Sequence, residues 1–103
     1  EPERRKQLWE NTAYMKRELE TMGFVTGDSK SPILPLLVGE DLLAISMAIR
    51  LQEEGVFVNP VIPPAVSEGR AMVRTSYMAT HTREHLDRAL DGLSKVGREL
   101  GIL

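Results

Sequence analysis

The sequence has no cysteine. Disulfides and thiolate metal sites are therefore excluded, and a reducing, cytoplasmic compartment fits. No apolar run reaches the roughly 18 residues of a membrane span, and no signal-peptide pattern occurs in these residues. Aromatics are sparse at 5%, the net charge is −2, and the basic residues are scattered among acidic ones. That combination excludes a nucleic-acid face, which needs clustered cations interleaved with stacking rings. No glycine-rich phosphate loop is present. Ser29, Ser31, Ser46, Ser67, Ser76 and Ser94 lack a nucleophile-elbow context. The four lysines, Lys6, Lys16, Lys30 and Lys95, fall on polar helical faces or in a connector. None is set in an apolar pocket that would lower its pKa for Schiff-base chemistry. No catalytic residue can be named.

What remains is a chain of 103 residues, long enough for one domain with an ordinary core. It begins at Glu1 and enters a helix almost at once, as a piece of a longer protein would. Over 3–22, Leu8, Thr12, Met15, Leu19 and Met22 recur at steps of four and three, the spacing of one helical face. Pro2 suits the first turn and Gly23 the stop. A polar connector over 26–31 (TGDSKS) leads to an apolar run over 33–38, which reads as a strand. Pro35 cannot donate to a ladder, so this strand belongs at a sheet edge. A second helix spans 41–54. Its apolar residues Leu42, Leu43, Ile45, Met47, Ile49 and Leu51 surround much of its circumference, which predicts burial on most sides. A short second strand follows over 56–59.

Pro60, Pro63 and Pro64 then stiffen a loop that is expected to be extended. Such a loop is either a pocket wall or a plain connector that discourages edge pairing. The third strand, over 70–79, alternates Ala71, Val73, Thr75 and Tyr77 on one face with Met72, Arg74, Ser76 and Met78 on the other. A mid-strand guanidinium is costly unless acceptors meet it. A carboxylate ligand gripped by both arms of its fork would serve, as would an internal salt bridge. Thr82 is placed to cap the last helix, from Arg83 to about Leu100. The run HTREH (His81–His85) matches a zinc-protease pattern. That pattern needs both histidines on one continuous helix, and a cap at Thr82 leaves His81 outside it, so no metal site is assigned. Gly92 and Gly97 weaken the last helix by about 1 kcal/mol each relative to alanine, so packing must sustain it.

The element order α-β-α-β-β-α is that of an α+β fold. The third strand can insert between the first two as a split β-α-β, giving a three-stranded, mainly antiparallel sheet in the order 1-3-2 with three helices.

The blocks LWENTAYMKRELETMGF, SPILPLLVGED, GVFVNPVIPPAVSEG, VRTSYMATHT and VGRELGIL, in that order, resemble the C-terminal small domain of the α-oxoamine synthases. These are fold-type I pyridoxal-phosphate enzymes that condense an amino acid with an acyl-CoA. The family includes serine palmitoyltransferase, 2-amino-3-ketobutyrate CoA ligase, 8-amino-7-oxononanoate synthase and 5-aminolevulinate synthase. The resemblance covers essentially the whole chain, 1–103. It implies that Arg74 holds the carboxylate of the amino-acid substrate and that the loop Pro63-Pro64-Ala65-Val66 lines the active-site mouth. Many members have a second proline where this chain has Ser67-Glu68-Gly69. The resemblance further implies pyridoxal phosphate as cofactor, held by a lysine in a large domain of the same enzyme, and a homodimer with shared active sites. On that footing the chain alone neither holds cofactor nor turns over substrate. Two alternatives use the same arginine: a free-standing amino-acid-binding regulatory module and the small domain of a related aminotransferase.

Overall fold

The structure, a computed structural model, describes residues 2–28 and 31–103, so Ser29 and Lys30 of the polar connector lie outside the described residues. In chain order the elements are α1 (Pro2–Met22), β1 (Ile33–Gly39), α2 (Asp41–Glu53), β2 (Asn59–Val61), β3 (Ala71–Ser76) and α3 (Arg83–Glu99). The expected fold class holds. The sheet order is β1-β3-β2, with β3 antiparallel to both neighbours.

Side-chain alternation along the strands decides the layering. Leu34 and Leu36 of β1 and Ala71, Val73 and Thr75 of β3 point to one face and are buried there. All three helices cover this face. Met15 and Leu19 come from α1, Ala44, Met47 and Leu51 from α2, and Leu86, Leu90, Leu93 and Val96 from α3. Among the described residues no helix covers the opposite face. It carries Ile33, Pro35 and Leu37 of β1, Met72, Arg74 and Ser76 of β3, and Asn59 and Val61 of β2.

The helix boundaries follow from local chemistry. Gly23 ends α1 with φ at +114°, a conformation that side chains other than glycine rarely adopt. Thr82 caps α3 as expected: its hydroxyl accepts from His85 N, and His85 Nδ1 accepts from Thr82 N. The last residues turn back, with Ile102 N and Leu103 N both donating to Gly97 O. Gly97 and Gly92 are close-approach sites. A Cβ on Gly97 would lie 2.9 Å from the Phe24 ring, and one on Gly92 would lie 2.9 Å from a Val56 methyl. This explains two glycines in a helix that gains nothing from them locally.

Four expectations need correction. The second strand is Asn59–Val61, not 56–59, and it contains Pro60, which the edge of a sheet tolerates because no ladder bond is asked of its nitrogen on the outer side. The third strand ends at Ser76 rather than 79, because residues 78–81 form a turn. The second helix is buried on one side only: Ala44, Met47, Ala48 and Leu51 face the core, while Leu42 is 78% and Ile49 55% exposed. The proline loop is turned rather than extended. Ala65 N donates to Ile62 O across Pro63-Pro64, and Arg70 N donates to Ser67 O across Glu68-Gly69.

Candidate functional site

Arg74 occupies the central strand on the helix-free face. Pro35 of β1 lies opposite it on one side and Asn59 of β2 on the other. The cross-strand rows beside it are largely apolar, formed by Leu37, Met72 and Val61 on one side and by Ile33 with Ser76 on the other. The guanidinium is exposed, and among the described residues it has no hydrogen-bond or ion-pair partner. The desolvation cost expected of a mid-strand arginine therefore does not arise within this chain, and the alternative of an internal salt bridge is not realised among the described residues. Several acids are engaged elsewhere. Glu53 and Glu99 bind Arg50, Glu54 binds Lys95, Glu84 binds Arg88, and Glu20 binds Lys16 and Thr26. A planar, permanently charged fork on an apolar, one-sided sheet face is suited to receive a carboxylate.

The backbone that carries Arg74 is fixed from the buried side. Tyr77 OH donates to Thr75 Oγ1 at 2.7 Å, and Thr75 Oγ1 donates to Leu34 O of β1 at 3.0 Å. Burial pushes the Tyr77 phenol up to about 12. Tyr77 N also donates to Pro32 O, which extends the pairing one step beyond the strand.

Past Tyr77 the chain turns. His81 N donates to Met78 O, and Met78 N donates to His81 Nδ1 at 3.0 Å. The side-chain amide of Asn11 reaches this turn from α1, donating to Met78 O at 2.8 Å and His81 O at 3.1 Å. Asn11 is 5% exposed. It was missed in the sequence, although it stands three residues after Leu8 and four before Met15, at the edge of the apolar stripe of the first helix. Gln7, four residues back, donates from Nε2 to Asn11 Oδ1. His81 stands outside α3 and its Nδ1 is already engaged. Among the described residues no three histidine, cysteine, aspartate or glutamate side chains cluster as a metal site would require.

The other anticipated site residues are not joined to Arg74 by any described contact. Pro63, Pro64 and Val66 belong to the loop between β2 and β3, beyond the Ala71 end of β3. At about 3.3 Å per residue, that end is roughly 10 Å along the strand from Arg74. A cavity of about 650 Å³ opens at the other end of β3, between residues 55–58, which join α2 to β2, and residues 75–78. Its walls include Val56, Phe57, Val58, Met78, His81 and His85, and neither Arg74 nor the proline loop lines it. Arg74 recommends itself by its chemistry rather than by concavity.

The described residues do not assemble a place for pyridoxal phosphate. Lys6 pairs with Glu10, Lys95 with Glu54, and Lys16 with Glu20, Thr26 and the Gly27 carbonyl. None of these three lysines lies on the sheet face that carries Arg74. No described helix is long and apolar enough to cross a membrane.

The fold and sequence are shared with known proteins. 8-Amino-7-oxononanoate synthase of Symbiobacterium thermophilum is 50% identical over 103 residues, which is 100% of this chain and 26% of that protein. 8-Amino-7-oxononanoate synthase/2-amino-3-ketobutyrate coenzyme A ligase of Thermus thermophilus is 48% identical, again over 100% of this chain and 26% of that protein. Among solved structures, Sphingomonas wittichii serine palmitoyltransferase superposes with a TM-score of 0.93 at 28% identity, covering 98% of this chain and 26% of that one. Serine palmitoyltransferase from S. paucimobilis with a bound PLP–myriocin aldimine gives 0.91 at 30% identity, with the same coverage. The chain thus spans about a quarter (26%) of the curated relatives it matches. The family model for aminotransferase class I and II matches residues 1–93. The chain belongs to the aminotransferase class I and II family.

Proposed function

We propose that residues 1–103 are the C-terminal, substrate-binding small domain of a pyridoxal-phosphate-dependent acyltransferase that condenses an amino acid with an acyl-CoA, and that Arg74 holds the amino acid's carboxylate. The observation that carries this reading is the state of Arg74: central in the sheet, on the one face without helices, and without a partner among the described residues. The relatives add that 8-amino-7-oxononanoate synthases and serine palmitoyltransferases contain this unit as one part of a longer chain. In this reading the helix-free face receives the large domain of the same enzyme, which supplies the cofactor, its lysine and every catalytic group. Pro63, Pro64 and Val66 then border the acyl-CoA entrance, and the full-length enzyme is a homodimer.

The role of Arg74 is to bind and orient. A fork held in a fixed plane fixes the direction of the substrate's carboxylate bond, which a lysine point charge does not. A charged hydrogen-bonded contact of this kind contributes about 1.5–3 kcal/mol. In the full-length enzyme Arg74→Ala should therefore raise KM for the amino acid roughly 10- to 100-fold. KM for the acyl-CoA should change little. An unchanged amino-acid KM rejects the assignment.

A further inference from the structure

Among the described residues, Asn11 is the buried polar side chain with the longest reach along the sequence. Its amide nitrogen spends both hydrogens on carbonyls 67 and 70 residues away, those of Met78 and His81. Its oxygen accepts from Gln7 Nε2 at 2.8 Å, which fixes which end of the amide faces the turn. The Met78 carbonyl accepts simultaneously from His81 N. The turn at 78–81 is thus closed on itself and tied to α1 by one side chain. Apolar contacts between α1 and the core could slide by a fraction of an ångström. A two-pronged hydrogen bond to two carbonyls of one turn cannot do so without losing a bond. Arg74 stands two residues before the end of β3 and four before Met78, where the turn begins. From the inside, Thr75 and Tyr77 fix that strand to β1, and from its exit Asn11 fixes it to α1.

We propose that Asn11 is a positioning residue, with Gln7 as its orienter: by holding the exit of β3 against α1 it sets the placement of Arg74. This rests on the carboxylate reading of Arg74, and the two can fail separately. Small displacements of a substrate-orienting group have large kinetic effects, up to roughly 100-fold for an ångström. Loss of one latch on a strand that keeps its other anchors should cost less.

The test uses the full-length enzyme. Asn11→Asp keeps the shape but turns two donors into an oxygen facing two carbonyls, and Gln7→Ala, at an exposed position, releases the orientation of the Asn11 amide without touching the core. Asn11→Asp should raise amino-acid KM roughly fivefold or more while acyl-CoA KM stays within about twofold. Gln7→Ala should shift amino-acid KM in the same direction by roughly twofold. In an Arg74→Ala background, Asn11→Asp should add nothing further to amino-acid KM, since it acts through the missing side chain. The positioning role is overturned by an equal rise in both KM values, by no rise, or by a full additional rise in the Arg74→Ala background. If Asn11→Asp does not fold, Gln7→Ala alone and in the Arg74→Ala background decides by the same criteria. An Arg74→Ala enzyme with unchanged amino-acid KM instead overturns the carboxylate reading itself, and the positioning role with it.

Discussion

Tyr77→Phe should make the chain less stable near neutral pH yet remove one source of its loss of stability in alkali. The phenol ring is 7% exposed on the buried face of the strand that carries Arg74, and its hydroxyl donates to Thr75, which donates in turn to Leu34 O. Deleting the hydroxyl removes one buried hydrogen bond, at a cost of about 1 kcal/mol. Burial also raises the phenol from 10.0 to about 12 in the folded chain. A folded-state pKa above the unfolded one stabilises fully below the unfolded value and is lost as pH rises through the folded value. Between pH 10 and 12 the wild type should therefore lose about 2–3 kcal/mol through this residue alone, and roughly half of that by pH 11. The phenylalanine variant has no such loss, so its stability should meet that of the wild type near pH 11. Urea unfolding followed by far-UV circular dichroism at pH 8, 9, 10 and 11 measures both curves, and the other titrating groups cancel in the difference. Parallel curves, with the variant lower by the same amount at every pH, would refute the argument that Tyr77 is buried and neutral.

Three further outcomes follow from the packing and the ion pairs. Thr82→Ala removes the acceptor for His85 N and should cost about 1 kcal/mol in urea unfolding, while Thr82→Ser should restore most of it. Gly97→Ala gains about 1 kcal/mol of helix propensity but drives a methyl to 2.9 Å from the Phe24 ring and 3.0 Å from Leu103, so overpacking of about 1–3 kcal/mol should leave it less stable on balance. Glu54 is held below the usual carboxylate range by the Lys95 hydrogen bond and, less, by Arg50. A depressed folded-state pKa gives stability that is present above the unfolded pKa and lost as pH falls through the folded one. The advantage of the wild type over Glu54→Gln should accordingly shrink between pH 6 and 3, as read from urea midpoints.

Much of this architecture could be read along the chain, because it is written in local chemistry. Period and caps located the three helices, and Pro35 put the first strand at an edge, which left the centre of the sheet to the strand of Arg74. What failed was whatever depends on a partner. Pro60 was read as part of the stiff loop, yet it pairs with Val73 on an outer strand where its missing N–H is not needed. Leu42 and Ile49 implied a helix buried on most sides, although this chain supplies cover on one side only. Asn11 gave no sign of importance, since its acceptors lie some seventy residues downstream. The chemistry of Arg74 was legible, but its lack of a partner among the described residues was not, because that depends on where the acids of the chain finally lie.

Carboxylate recognition by Arg74 can be measured directly as selectivity. In the full-length enzyme, the amino acid competes for the site with its own carboxamide, which has the same shape without the charge. Wild type should prefer the carboxylate by roughly 10- to 100-fold in inhibition or turnover, and Arg74→Ala should reduce that preference to within a few-fold. An Arg74→Ala enzyme that still discriminates as strongly as wild type would show that the carboxylate is held elsewhere.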